Sequence, residues 1–459
     1  MTMNRDVIAL AEAIARAGGR ALLVGGFVRD HALEQESKDY DFEIYGLSLS
    51  DLETTLATFG EVIAVGRAFG VLRVKGFEMD FSLPRRDNKT GKGHRGFVVD
   101  LDPTLSFAEA ARRRDLTINS MGLDPLTDEL IDPYGGQTDL KAGVLRATDA
   151  SQFSEDPLRG LRVAQFASRF DMHPDEELIA VCRDLDLSEL PAERLCGEFQ
   201  KLMLKGRRPS VGMKFLENTD LLRFFPELDA LRNVPQDPTW HPEGDVWIHT
   251  LMCLDEAAKL KTGDPFEDEA LMFGILCHDL GKPDTTTVEE GGKVRSILHE
   301  KEGIDPTMRF AEQLKLGHKL RDAICALVEF HLCPSQFVSQ NAKAPAYRRL
   351  ARKLDHAGVT LALLERVARA DSLGRTTENA LAGRYPAGDT FLERAEAYAV
   401  ANQATADVVQ GRNLVSRGLK PGPDFRQILD GCRNVQDETG WTDVEQILTE
   451  ALARRKSSD

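Results

Sequence analysis

Two hydrophobic rhythms divide this chain. Up to about residue 150, short apolar runs and alternating stretches mix with segments of helical period, which predicts a small mixed sheet flanked by helices. Ala21-Leu22-Leu23-Val24 is a short apolar run ended by Gly25 and Gly26, the pattern of a buried strand turning into a helix. From Asp39 to Tyr45 acids alternate with large apolar residues. Asp39, Asp41 and Glu43 therefore share one strand face, while Tyr40, Phe42 and Ile44 enter the core. Residues 78–83 repeat the pattern, with Glu78, Asp80 and Ser82 between Met79, Phe81 and Leu83. Beyond residue 150 the period is almost wholly helical. Pro191, Pro209, Pro226, Pro235–Pro242, Gly383–Gly388 and Pro421–Pro423 break it, with no fixed-period repeat and no low-complexity stretch.

The two early strands carry chemistry. Gly25 and Gly26 let backbone N–H groups approach an anion, and Arg29, in the first turn of the helix expected next, can fork onto phosphate oxygens. Three carboxylates on one strand face repel one another unless a cation sits among them, and hard oxygen donors suit magnesium. Asp80 can complete a trio with Asp39 and Asp41, with Glu43 competing for the third place. Such a trio holding two cations is what nucleotidyl transfer requires. A solvated acidic edge strand is the plainer reading of the second strand taken alone. The glycine turn just upstream favours the site.

Composition narrows the partners. A chain of 459 residues, 42% hydrophobic, is long enough for three or four domains. Its net charge of −16 argues against a generally basic coat, so any nucleic-acid contact must be local. Three basic clusters qualify, each also readable as a solvated face. They are a loop with Arg85, Arg86, Lys89, Lys92, His94 and Arg95; the run Arg112 to Arg114; and Lys201, Lys205, Arg207 and Arg208. Seven cysteines stand singly without a CxxC pair, which suits a reducing compartment and not a zinc ribbon. No apolar run approaches the ~18 residues of a membrane span and no signal-peptide core opens the chain, so a cytoplasmic location without a membrane partner is expected.

Past residue 150, Ser154-Glu155-Asp156-Pro157 opens a helix from which Asp156, Arg159 and Arg162 project at three-residue steps. A carboxylate beside a guanidinium matches the exocyclic amine and ring nitrogen of cytosine or adenine and mismatches uracil and guanine, by about 1–3 kcal/mol per good contact. Ordinary helix capping by Asp156 before Pro157, with an Asp–Arg pair three residues apart, explains the same residues. Pro133-Tyr134-Gly135-Gly136 reads only as a turn.

In order, Gly25-Gly26-Phe27-Val28-Arg29-Asp30, Asp39-Tyr40-Asp41, Arg113-Arg114-Asp115-Leu116-Thr117-Ile118-Asn119 and Glu155-Asp156-Pro157-Leu158-Arg159-Gly160-Leu161-Arg162 resemble the class II tRNA nucleotidyltransferases. These are the CCA-adding enzymes and their poly(A) polymerase sisters. The likeness is close over roughly the first half, with His31-Ala32-Leu33-Glu34-Gln35 departing from the usual Leu-Leu-Gly. It implies an α+β protein: a polymerase-β-like head (1–148) followed by an all-α neck (149–235), an HD domain (236–375) and a helical tail (376–459). It further implies that Gly25, Gly26, Arg29 and Arg114 hold a triphosphate, that Asp115 and Asn119 contact ribose, and that Asp156, Arg159 and Arg162 select CTP and then ATP.

The second half holds its own metal candidate. Cys277-His278-Asp279-Leu280-Gly281-Lys282 follows an apolar helix, His249 lies in an earlier helix, and Asp371 lies far downstream. The HD phosphohydrolases use such a set, His249, His278, Asp279 and Asp371, for a divalent ion. His299 and His331 can extend it to two, while His318 and His356 read as core residues. Imidazole with carboxylate suits manganese, nickel, iron or magnesium alike. The expected reaction is template-independent addition of CCA to a tRNA 3′ end from CTP and ATP, with magnesium in the head and no DNA partner. The resemblance adds hydrolysis of 2′,3′-cyclic or 2′-phosphate RNA ends at the HD site. Addition of poly(A), of CC alone or of A alone stays open, as does an HD phosphohydrolase whose head only binds RNA.

Overall fold

In the computed structural model, residues 3–35, 39–65, 70–89 and 97–456 are described. The chain divides into two compact units, Met1–Arg207 with Val211–Phe224, and Arg208–Ser210 with Phe225–Asp459.

The first unit is built on a seven-stranded mixed sheet. Its strands are β1 (Arg20–Val24), β2 (Tyr40–Tyr45), β3 (Val62–Ala64), β4 (Val71–Val74) and β5 (Met79–Ser82). After a separate hairpin, β6 (Arg85–Lys89) with β7 (Phe97–Leu101), come β8 (Gly122–Asp124) and β9 (Glu129–Ile131). The sheet runs β3-β4-β5-β2-β1-β8-β9, with β2 and β5 parallel and every other pair antiparallel. Ala21 to Val24 on β1 are all buried, as a strand lying inside a sheet with both faces covered should be. Val7, Leu10, Ala11 and Ile14 form the apolar stripe of α1 (Arg5–Arg16) and join Phe42, Ile44 and Phe81 in one core. The Phe42 and Phe81 rings stack with centroids 5.1 Å apart, which ties β2 to β5 directly beneath the acidic residues.

Register does the positioning. Asp41 lies opposite Val24 on one side and opposite Asp80 on the other. Gly25 ends β1 at φ 69°, a conformation that favours glycine, and α2 (Gly26–Ala32) starts at once. The loop expected around the first basic cluster is in part a hairpin, because Arg85 to Lys89 pair with Phe97 to Leu101. Phe97, Val98 and Val99 are strand formers that basic content obscured. Lys92, His94 and Arg95 lie outside the described residues.

Helix α3 (Leu158–Phe170) begins where Asp156 Oδ1 accepts from Leu158 N at 3.2 Å, and it packs on α4 (Ala192–Lys205). The second unit is helical apart from a small hairpin, Thr286–Val288 with Val294–Ser296. Helices α5 (Val246–Lys259), α6 (Pro265–Cys277), α7 (His318–Phe330) and α8 (Leu361–Leu373) surround its centre. Ala270 to Cys277 are all buried, as an apolar helix without a polar face requires. The last helices, Asp424–Thr439 and Val444–Lys456, share a separate core around Ile428, Val435, Ile447 and Leu448. Among the described residues, no helix is long and apolar enough to cross a membrane.

Candidate functional sites

At the end of β1 the chain clears space for an anion beside a carboxylate pair. A Cβ on Gly25 would have Arg114 Nη1 and Asp41 Oδ2 each 3.7 Å away, so only hydrogen stands between the turn and both charges. Asp39, Asp41 and Asp80 line one cleft of about 460 Å³ together with Arg73. Asp41 is raised above the usual carboxylate range, first by burial and then by repulsion from Asp80, with Arg114 opposing. Asp80 is paired at 2.5 Å with Arg73.

Glu43, on the same strand face, has another occupation. It is fully buried, accepts from Tyr45 Oη at 2.7 Å, and meets Arg113 and Arg114 at 3.1 and 3.3 Å. Burial alone would raise its pKa, but Arg114 and Arg113 bring it below the ordinary value. The three alternating acids thus separate: Asp39 and Asp41 face the cleft, and Glu43 anchors two arginines beneath it.

The nine residues expected at the nucleotide all line one cleft of about 410 Å³, which Asp41 also enters. Several are tied to one another. Arg29 is buried rather than held out as an open fork. Its Nε and Nη2 donate to Asp30 Oδ1, its Nη1 donates to Asn119 Oδ1 at 2.7 Å, and Phe166 and Phe170 flank its guanidinium. Desolvation lowers its pKa, with Asp30 opposing. Asn119 Nδ2 donates to Asp115 Oδ1 at 3.1 Å, and Arg162 Nε donates to Asp115 Oδ2 at 2.6 Å. Burial would raise Asp115, yet Arg162 and Asn119 hold it down at about 2. Arg159 donates to the carbonyls of Gln152 and Arg113 at 2.8 and 2.5 Å. Asp156 pairs with Arg194 at 2.8 Å, not with Arg159 three residues on. Both side chains are only half-buried, and helix spacing gave no view of Arg194.

The second unit gathers all six HD candidates in its buried centre. His249 Nε2 is 3.1 Å from Asp371 Oδ1 and 3.9 Å from Asp279 Oδ2. His278 Nε2 is 3.2 Å from Asp279 Oδ2, and His299 Nε2 lies 3.4 Å from Asp279 Oδ1 and 3.3 Å from His331 Nε2. The two oxygens of Asp279 thus face two histidine groups. Each ring is oriented from behind. Nδ1 of His278, His299 and His331 lies 2.7 to 2.8 Å from the carbonyl of Ile275, Ser296 and Val328, and His249 Nδ1 is 2.8 Å from Glu243. A carbonyl accepts only from N–H, so the inward Nε2 atoms carry the lone pairs. Among the described residues, buried His278 Nε2 and Asp279 Oδ2 face each other at 3.2 Å without either making a well-formed hydrogen bond, a pair of donor atoms that suits a cation between them. Burial and the neighbouring rings push His331 down to about 3, into the neutral, ligating form. Lys282 Nζ at 2.7 Å from Asp279 and Arg375 at 2.9 Å from Asp371 balance the carboxylates.

Sequence reasoning left several of these residues unassigned. Arg73 and Arg194 carried no local signal. Lys201 and Lys205, four residues apart in the third basic cluster, enter the nucleotide cleft from α4. Cys253 after His249, Lys282 after Asp279 and Arg375 after Asp371 stand at three- or four-residue spacing, which a helix-face reading reaches. His241 and Glu243 sit in an irregular turn with no period to expose them.

Comparison with known proteins agrees with this layout. The family model described as Poly A polymerase head domain matches residues 21–146, a probable RNA and SrmB-binding site of polymerase A matches 170–232, and the HD domain matches 246–371. These define a protein with a nucleotidyltransferase head joined to an HD domain, and both parts imply divalent-metal use. The multifunctional CCA protein of Xanthomonas euvesicatoria pv. vesicatoria is 34% identical, over 90% of this chain and 96% of its own. That of Pasteurella multocida is 36% identical, over 67% of this chain and 73% of its own. The chain belongs to the family of multifunctional CCA proteins. In fold it resembles the Bacillus stearothermophilus CCA-adding enzyme solved with CTP (TM-score 0.68, 20% identity, 99% of both chains). It likewise resembles the Thermotoga maritima CCA-adding enzyme complexed with tRNA (TM-score 0.60, 18% identity, 99% of this chain and 96% of that one).

Proposed function

We propose that this chain adds CCA to the 3′ end of tRNA from CTP and ATP without a nucleic-acid template. The observation that carries the reading is the register of Asp41 against Asp80 on parallel strands, beside a glycine turn and a cleft rich in arginine and lysine. The 3′-hydroxyl oxygen of the tRNA attacks the α-phosphorus of the nucleotide, its proton is released, and the bond to the bridging oxygen breaks to free pyrophosphate. Gly25 and Gly26 admit the phosphates, and Arg29 and Arg114 bring positive charge to them. Asp115 and Asn119 fit the ribose, while Asp156, Arg159 and Arg162 fit the base. Asp41, raised by desolvation and then by repulsion from Asp80 and Asp39 with Arg114 and Arg73 opposing, fits a divalent cation. We assign magnesium to Asp39 and Asp41, with Asp80 as third carboxylate because Glu43 is consumed by Arg113 and Arg114. Bound there, magnesium acidifies the attacking hydroxyl and steadies the leaving pyrophosphate.

The HD centre is proposed as a second activity on 2′,3′-cyclic or 2′-phosphate RNA ends. His249, His278, Asp279 and Asp371 hold one divalent ion, with His299, His331 and the other oxygen of Asp279 available for a second; such ions supply Lewis acidity for phosphoester hydrolysis. The division we favour is head 1–148, neck 149–235, HD domain 236–375 and tail 376–459, working in the cytoplasm where tRNA and its nucleotides meet. The test is incubation of the purified protein with tRNA ending at the discriminator base and labelled CTP alone. Incorporation of C is expected. No incorporation, with ATP accepted on any RNA end, would identify a poly(A) polymerase instead.

A further inference from the structure

The HD centre contains a donor that the histidines and carboxylates do not account for. Cys253 stands one helical turn after His249 on α5, so both side chains leave the same face. Its Sγ lies 3.3 Å from His249 Nε2, the nitrogen that faces Asp371. His249, Cys253, His278 and Asp371 each offer a donor atom within 4.8 Å of the other three, and all four residues are buried. An angle near tetrahedral at the metal, with sulfur at about 2.3 Å and nitrogen at about 2.0 Å, sets those two donors about 3.5 Å apart, close to the separation found. Gly374 on the facing chain leaves the room: a Cβ there would sit 2.4 Å from Cys253 Sγ. Among the described residues the thiol also lies 3.7 Å from His249 Nδ1 and 3.7 Å from the Asp371 carbonyl. The independent sign is His278, whose buried Nε2 makes no hydrogen bond among the described residues, lies 3.2 Å from Asp279 Oδ2 and enters the same group.

We propose that Cys253 is a thiolate ligand of the first ion in the HD centre. The sulfur then joins His249, His278 and the carboxylates of Asp279 and Asp371 in its shell, and the site prefers zinc, cobalt, nickel or ferrous iron to magnesium. The assignment rests on the HD reading above. Sulfur is a soft donor that magnesium binds poorly, whereas the borderline ions accept it beside imidazole. On binding, the S–H proton passes to solvent and a sulfur–metal bond replaces it, with no change of oxidation state.

The test uses the full chain, stripped with a chelator and titrated with cobalt(II). The expected result is a near-ultraviolet sulfur-to-cobalt charge-transfer band that disappears in Cys253→Ser. In that variant cobalt affinity falls about tenfold or more and the zinc-over-magnesium preference shrinks with it, while the urea midpoint stays near that of the unaltered protein. Asp41→Ala keeps the band, since the head carboxylates offer no sulfur. Bound cobalt with visible ligand-field bands but no charge-transfer band, or a band that survives Cys253→Ser, overturns the thiolate and leaves the HD reading standing. Cobalt uptake no greater than in the His278→Ala, Asp279→Ala double variant overturns both.

Discussion

Two acids on one strand face show how burial and partners decide a residue's task. Glu43 is fully buried while Asp41 keeps an exposed edge at the cleft, and their pKa values move in opposite directions. At Asp41, crowding at the cleft mouth desolvates the carboxylate in part, and Asp80 adds repulsion. Its ionised form therefore detracts from stability, a loss that sets in as pH rises through its elevated pKa and is complete at neutrality. Glu43 meets two guanidiniums, so its lowered pKa marks a contribution present at neutrality and lost as pH falls through that value. Asp41→Asn should leave the urea midpoint unchanged or higher in chelator and lower CTP addition by on the order of a hundredfold or more. Glu43→Gln should lower stability by about 3 kcal/mol because Arg113 and Arg114 lose the buried carboxylate they share. A loss of stability on altering Asp41 comparable to that at Glu43 would sink the division of labour. The alternation placing both acids on one face was legible in residues 39–45. Their separation was not, because Arg113 and Arg114 lie 70 residues onward and no periodicity links them. Asp156 teaches the same lesson, since its true partner, Arg194, sits on another helix.

Between elements, glycine decides how closely backbones approach. Gly281 in the His278-Asp279-Leu280-Gly281-Lys282 string has an ordinary negative φ, so left-handed conformation is not its purpose. A Cβ there would lie 2.1 Å from the carbonyl oxygen of His299 and 2.5 Å from Gly303 N. The short helix Lys282–Thr285 thus touches the helix His299–Glu302 main chain to main chain, and the contact sets His299 against Asp279. Gly281→Ala must part the two helices. We expect manganese affinity at the HD centre to fall about 10- to 100-fold by isothermal titration, with CTP addition retained. Gly197 is the contrast, lying within α4 where a Cβ meets nothing within 4 Å. Gly197→Ala should raise stability by about 0.5–1 kcal/mol and leave metal affinity alone. Equal effects from the two substitutions would show that helix propensity, not close approach, governs position 281. The sequence identified the string as a motif, and the motif says which residues recur without saying why its glycine is small. Only the facing backbone supplies that reason.

At the scale of the molecule, the two constellations have no residue in common. The carboxylates and arginines of the head lie in one compact unit, and the histidine centre lies in the other. Their chemistry differs as well: the head gathers oxygen donors at an open cleft, whereas the HD centre is buried and rich in imidazole. Strong chelation should stop both reactions, but refilling should tell them apart. Magnesium alone should refill the oxygen-donor cleft, while the imidazole centre should need ions that bind nitrogen more tightly. A crossed pair of variants then separates the units. Asp41→Ala should abolish CTP and ATP addition to tRNA while hydrolysis of a 2′,3′-cyclic nucleotide continues at its former rate. Asp279→Ala should do the reverse, because it removes the carboxylate that faces both histidine groups and takes the counter-charge from Lys282. Both rates are read on the same full-length preparations, with melting curves to establish that each variant is folded. If Asp41→Ala also stopped hydrolysis in a folded protein, the two sites would be coupled. If Asp279→Ala left hydrolysis intact, the buried cluster would be a structural core of histidines and the second activity would belong elsewhere.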